Sequence, residues 1–231
     1  LTLDSSQPAR IGNEARIGRL LITLLLAVFF AGFAKNFYLR AWFGTRPLIF
    51  TAWVHGLVMT AWLVLFAAQI ILVTRGRLAL HRRIGRWGAW LAAVVVVVGI
   101  VTILVRSRLM YPAATPSMSA VVFVAFDGLS LLLFGALVGL AWRHRARPAL
   151  HRPLMTMATV ALLPPAFGRL VAYMRHDHIE VAVVGLMGLT VLIFVTADFL
   201  RSHRVAPAAW LAGVAILLVN GITYVAQLAL D

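Results

Sequence analysis

Seven stretches of this chain run for about 20 residues or more with almost no charge: approximately 17–35, 47–74, 86–106, 119–143, 152–175, 180–200 and 207–229. A helix rises ~1.5 Å per residue and the hydrocarbon core of a bilayer is about 30 Å thick, so each stretch is long enough to cross it. Helices are expected there, because lipid offers nothing to an unpaired backbone group. Composition agrees: 62% of the 231 residues are hydrophobic, against roughly 45–50% in a soluble domain. The connections are too short to hold a second domain. The expected fold class is therefore an all-α integral membrane protein, a seven-transmembrane-helix bundle. A polar tail over residues 1–16 precedes a single membrane domain over 17–231.

The formal charge of +14 invites a nucleic-acid reading, and its distribution argues against one. Arg10, Arg16 and Arg19 precede the first span, and Arg75, Arg77, Arg82, Arg83 and Arg86 lie between spans 2 and 3. Arg143, Arg145, Arg147 and Arg152 lie between spans 4 and 5, and Arg201 and Arg204 between spans 6 and 7. The alternate loops are poorer in positive charge. This positive-inside pattern predicts a cytoplasmic N-terminus and a C-terminus outside. The same arginines suit contact with anionic lipid headgroups. Trp87, Trp90, Trp142 and Trp210 near one set of span ends, and Trp42 at the other, match an interfacial belt. Cysteine is absent, which removes disulfides and thiolate chemistry.

Charged residues inside spans are costly and tend to face a bundle interior or cavity. Asp127 is the one acid placed deep in a span. Counting ~1.5 Å per residue from the outer span ends, His55 and Asp127 lie about 12 Å deep, Arg169 roughly 9 Å and Asn220 roughly 13 Å. Four helices thus bring polar groups to one level. Tyr173 and His176 follow Arg169 at i+4 and i+7, on the same helical face. Pro164 and Pro165 lack backbone donors, so a kink is expected below Arg169, with the carbonyls near Val160 and Ala161 losing their partners. Asp127 is the expected partner of Arg169. Two readings stay open: an ion pair that pins spans 4 and 5, or an outward-facing polar pocket lined by His55, Asp127, Arg169, Tyr173 and Asn220.

Two further sites are candidates. The corner "RHDH" followed by Ile179 and Glu180 offers His176 and His178 for a divalent metal at the outer face. "LALHRRIGRWG" and "PALHRPLMTMA" place His81 and His151 at similar depth on the opposite side. Facing histidines at matching depth could hold one b-type haem, with Arg82 and Arg152 reaching its propionates. The alternative is a Leu-His-Arg interface marker at each helix entrance.

The stretch "WVHGLVMTAWLVLFAAQIILVTRGRLALHRRIGRWG" resembles an uncharacterised family of bacterial multi-pass membrane proteins. An in-membrane His (His55), a Gln (Gln69) and His-Arg-x-x-Gly (His81, Arg82, Gly85) carry the likeness, and no activity comes with it. "VHGLVMTAWLVL" is also similar to a helix of transmembrane di-haem cytochromes b of the ascorbate-reducing type, which would imply haem ligation at His55 and His81. Span 4 departs from that pattern, offering Asp127 and no histidine opposite His55. Lys35 is the sole lysine, so a retinal-binding last span is excluded. The last span also lacks the His-x-x-x-His of progestin-receptor-type hydrolases.

The expected function is that of a bacterial inner-membrane component of electron transfer, cytochrome b-like or quinone-interacting, with a redox partner. The alternative is a cofactor-free binding or accessory membrane protein whose pocket takes a small ligand, a lipid or a partner helix. Glycine-rich "GLMGL" permits close helix approach, as in a homo-oligomer. No nucleophile–base pair or paired carboxylates mark an ordinary enzyme.

Overall fold

The apolar runs fold as helices. The structure, a computed structural model, describes residues 7–110, 118–174, 179–202 and 206–228. Among them lie α1 (Gln7–Phe33), α2 (Phe50–Thr74), α3 (Leu78–Met110), α4 (Met118–Arg143), α5 (Pro148–Val160), α6 (Pro164–Tyr173), α7 (Ile179–Ser202) and α8 (Pro207–Leu228). A π-helical turn, Ala34–Tyr38, extends α1. Seven helical segments are long and apolar enough to cross a membrane, with α5 and α6 together forming one, Pro148–Tyr173. The loops at 75–77 and 144–147 mark an arginine-rich end of the bundle. The 39–49 loop marks the arginine-poor end.

Local chemistry sets the helix boundaries. α2 stops in a Schellman turn: the Arg77 N–H bonds the Leu72 carbonyl at 2.8 Å and the Gly76 N–H bonds that of Val73 at 3.0 Å. Gly76 takes φ +71°, a left-handed conformation that glycine reaches without Cβ strain. α3 then starts at Leu78 rather than at the expected residue 86. Arg82, Arg83 and Arg86 are exposed on its surface, so their long stems continue the helix while their heads reach outward. Pro47 lies in the loop before α2, which begins at Phe50.

The expected kink at Pro164–Pro165 is a full break. α5 ends at Val160, and α6 starts with the two prolines at its first positions, where a missing N–H leaves no bond unmade. The Val160 carbonyl does not lose its partner: the Leu163 N–H takes it at 3.0 Å, and the Leu162 N–H takes that of Thr159 at 3.2 Å. A tight turn thus repairs what the prolines remove.

α5 is the centre of the bundle, packed against α4, α7 and α8. The Pro148–Tyr173 span is 67% buried over its most apolar window, yet its hydropathy of 1.4 is the lowest of the seven. A helix surrounded by protein need not satisfy lipid, so it tolerates polar and small residues. Thr159 is fully buried, and its Oγ1 bonds the Met155 carbonyl at 3.2 Å. Trp62 of α2 and Phe134 of α4 meet edge to face in the same core, centroids 4.9 Å apart. Gly32 lets α1 approach α6 so closely that a Cβ there would lie 2.7 Å from the Ala166 carbonyl oxygen. Trp42, Trp87, Trp90 and Trp210 are exposed, as a belt at the two ends of the bundle requires.

Packing is uneven along the bundle axis. α6 sits on α1 and α7, while α2, α3 and α4 pack on one another in sequence. Between these two groups, toward the arginine-poor end, the structure opens.

Candidate functional site

The opening is a cavity of about 1140 Å³. Drug-sized sites commonly span ~300–1,000 Å³, so a ligand of some size fits. His55, Asp127, Arg169 and Asn220 all line it, so four side chains from four helices meet in one space. Each is set there by its helix. On α3, Gly99, Thr102, Ile103 and Arg106 face the cavity, and on α4 Phe126, Asp127, Ser130 and Leu131 do, both at the 3–4 residue spacing of one helical face. The π-helical turn after α1 brings Asn36, Phe37 and Tyr38 to the wall. Tyr38 Oη and Thr60 Oγ1 are 3.0 Å apart, which fixes the turn against α2. Residues 44–48 close part of the arginine-poor side.

The Arg169 guanidinium is held without an acid. Its Nη1 donates to the Pro165 carbonyl at 2.7 Å, and its carbon lies 4.4 Å from the centroid of the Phe33 ring. Among the described residues the expected direct pair with Asp127 is not formed, and their charged atoms lie more than 4.0 Å apart across a shared cavity. The physical reason is local: the break at 161–163 and the first turn of α6 supply both the carbonyl and the aromatic face that anchor the arginine. Asn220 is 2% exposed and donates through Nδ2 to the Ile216 carbonyl at 2.7 Å. Ser130 is 7% exposed, lines the cavity, and its Oγ has no hydrogen-bond partner.

Tyr173 lies off the cavity wall. Its hydroxyl donates to the Gly32 carbonyl at 3.2 Å, and Lys35 Nζ lies 5.5 Å from its ring centroid, so it ties α6 to α1. The metal candidates His176 and His178 lie outside the described residues. No group of three or more potential metal ligands occurs among the described ones.

At the arginine-rich end His81 of α3 and His151 of α5 do meet, ring centroids 6.4 Å apart and planes at 79°. His151 Nδ1 and the Ala141 carbonyl oxygen are 2.9 Å apart, which leaves Nε2 unengaged by that contact. Among the described residues, both polar atoms of the Gln69 side chain are buried without a hydrogen-bond partner. Arg152 Nη2 bonds Asp198 Oδ1 at 3.1 Å. Asp198 also accepts the Ala206 N–H through Oδ2 at 3.2 Å. Arg82 Nε reaches the Leu78 carbonyl of its own helix at 3.4 Å.

Arg106 and Ser130 are among the polar cavity residues that the sequence did not lead one to expect. Arg106 falls at the end of the expected span, but α3 continues to Met110 and carries it into the wall. The i, i+3, i+4, i+7 series from Gly99 was the available signal, as was the i, i+3 spacing of Asp127 and Ser130. Neither a family profile, nor a curated protein, nor a solved structure matches this chain.

Proposed function

We propose that this chain is a multi-pass membrane protein that binds an amphipathic small molecule, with the polar head held among His55, Asp127, Arg169 and Asn220. The observation that carries this reading is their convergence in one cavity. Polar groups at such a depth are expensive unless they serve an interior partner or ligand. Aromatic and aliphatic side chains such as Phe29, Phe126 and Leu131 complete the wall, giving the mixture of apolar surface and few polar groups that small-molecule sites share. The arginine bias supports a cytoplasmic position for the 75–77 and 144–147 loops. The cavity would then open toward the outside of a bacterial inner membrane.

Filling the cavity tests this reading. In purified protein, a quinone analogue or a single-chain lipid should bind saturably at one site. Ala52→Trp, on the cavity wall, should weaken that binding at least about tenfold, or ~1.4 kcal/mol. Leu132→Trp, at a side chain 59% exposed on the bundle surface, should leave it unchanged. Equal binding by both variants would remove the cavity as the site.

The His81–His151 pair favours a second reading, a quinone-interacting cytochrome b-like electron carrier. With ring centroids 6.4 Å apart on two different helices, both imidazoles would be within reach of one b-type haem. The backbone carbonyl beside His151 Nδ1 suits the outer hydrogen bond a ligating histidine needs. The fit stops at the imidazoles, since Arg152, the expected propionate partner, is paired with Asp198. A bound haem would supply one-electron transfer. His81 and His151 would hold it, and Gln69 would border it. Protein purified with haem supplementation should then show a Soret band that His151→Ala abolishes. A colourless preparation would remove this reading and leave the binding one intact.

A further inference from the structure

Arg169 and Asp127 share the cavity without touching each other. Apart from the Pro165 carbonyl, Arg169 has no hydrogen-bonding partner among the described residues, and its guanidinium carries five N–H donors in a fixed fork. Asp127 makes no hydrogen bond or ion pair with any described residue. Opposite charges left apart inside a low-dielectric space each want a partner of the other sign. The protein could have placed them in contact, and it instead directs Arg169 to Pro165 and Phe33.

Resting on the reading that the cavity is a binding site, we propose that its ligand is a single-chain zwitterionic amphiphile whose head carries an anionic oxygen group for Arg169 and an N–H-bearing ammonium for Asp127. A phosphate or carboxylate accepts from the guanidinium fork in two parallel bonds. A primary ammonium offers three donors, and one of them reaches the Asp127 carboxylate. Ser130 Oγ, buried and unpartnered on the same helical face as Asp127, supplies a further hydrogen bond to the head. The apolar chain lies along the wall that includes Phe29, Leu63 and Leu131. A purely anionic head would face the Asp127 carboxylate. A purely cationic head would face Arg169 and the further arginines Arg46 and Arg106 on the same lining. A head with both signs gives Arg169 and Asp127 each a partner of opposite charge, although Arg106 on the same lining also acts on Asp127.

The experiment compares heads on one chain length, using the full protein in detergent or nanodiscs. The probes are lysophosphatidylethanolamine, lysophosphatidylcholine, lysophosphatidic acid, a long-chain primary amine, a monoacylglycerol, and phosphoethanolamine without a chain. The first should bind at least about tenfold more tightly than each of the others. Lysophosphatidylcholine isolates the ammonium donors, because its quaternary nitrogen has none. Phosphoethanolamine separates a lipid ligand from a soluble zwitterion: binding as tight as the lysolipid's would assign the site to a soluble one. Asp127→Asn should abolish the preference for ethanolamine over choline while retaining binding. Arg169→Lys should keep binding but lose most of the preference for phosphate over the neutral monoacylglycerol, since lysine lacks the fork. Melting curves confirm that each variant is folded, and Asp127→Asn alone suffices if Arg169→Lys is not. If no probe or quinone analogue saturates the wild-type protein, the binding reading itself falls. If amphiphiles bind without regard to head, the binding reading stands and the zwitterion proposal is overturned.

Discussion

Phe134→Ala should lower the stability of the bundle by about 2.4 kcal/mol, through a void of about 100 Å³ at roughly 24 cal/mol per Å³. Phe134 is fully buried and meets the Trp62 ring edge to face at 4.9 Å. In a soluble protein the same truncation costs about 3–5 kcal/mol, part of which is transfer of the ring out of water. In a bilayer the separated helices still bury that ring in lipid, so the transfer part falls away and the lost packing remains. Trp62 gives the void a second consequence. Its Nε1 is buried without a hydrogen-bond partner, a cost that only tight packing around the ring offsets. Phe134→Leu, which keeps most of the volume, should recover more than half of the loss. Reversible denaturation in mixed micelles measures both. A change below about 0.5 kcal/mol for Phe134→Ala, the range of ordinary surface substitutions, would show that the Trp62–Phe134 contact does not hold the core together.

Helix number, an interruption at Pro164–Pro165 (though expected as a kink rather than a break) and the convergence of His55, Asp127, Arg169 and Asn220 were legible in the sequence, because each depends on distance along a single helix. Apolar length counts spans, and rise per residue gives depth. The partners of the charges were not legible. Which carboxylate an arginine meets depends on how helices rotate about their axes, and the spans here are apolar on nearly every side. The hydropathy of Pro148–Tyr173 was the missed clue. Its low value of 1.4 marks the helix that lies inside the bundle, and so marks Arg152 and Thr159 as residues with protein neighbours. Likewise α3 extends beyond its apolar run at both ends, since arginines continue a helix as readily as leucines do. That extension places His81 within a helix and brings Arg106 to the cavity.

The second large effect separates two acids that look alike in composition. Asp198 is 8% exposed and accepts from Arg152 Nη2 at 3.1 Å and from the Ala206 backbone at 3.2 Å. It thereby joins the start of α5, the end of α7 and the entrance to α8. Asp198→Ala leaves the Arg152 donor and the Ala206 N–H without this acceptor. Removing one member of a buried pair costs about 3–5 kcal/mol. The Arg152 side chain is 42% exposed, so solvent screening reduces the expected loss to about 2 kcal/mol. Asp127→Asn should behave oppositely, staying within about 0.5 kcal/mol of the wild type or above it, because no described partner is lost and a buried charge is removed. A double-mutant cycle of Asp127→Asn with Arg169→Lys should show a stability coupling below about 0.5 kcal/mol, as expected for groups that do not share a bond. Thermal or denaturant unfolding of the single variants in one detergent ranks them. A loss at Asp127 equal to that at Asp198 would return Asp127 to a structural role and close the gap on which the zwitterion proposal depends. With the predicted ranking, the bundle is held together at its arginine-rich end by Asp198. Asp127, which that ranking leaves without a structural role, is then available to a ligand head in the cavity.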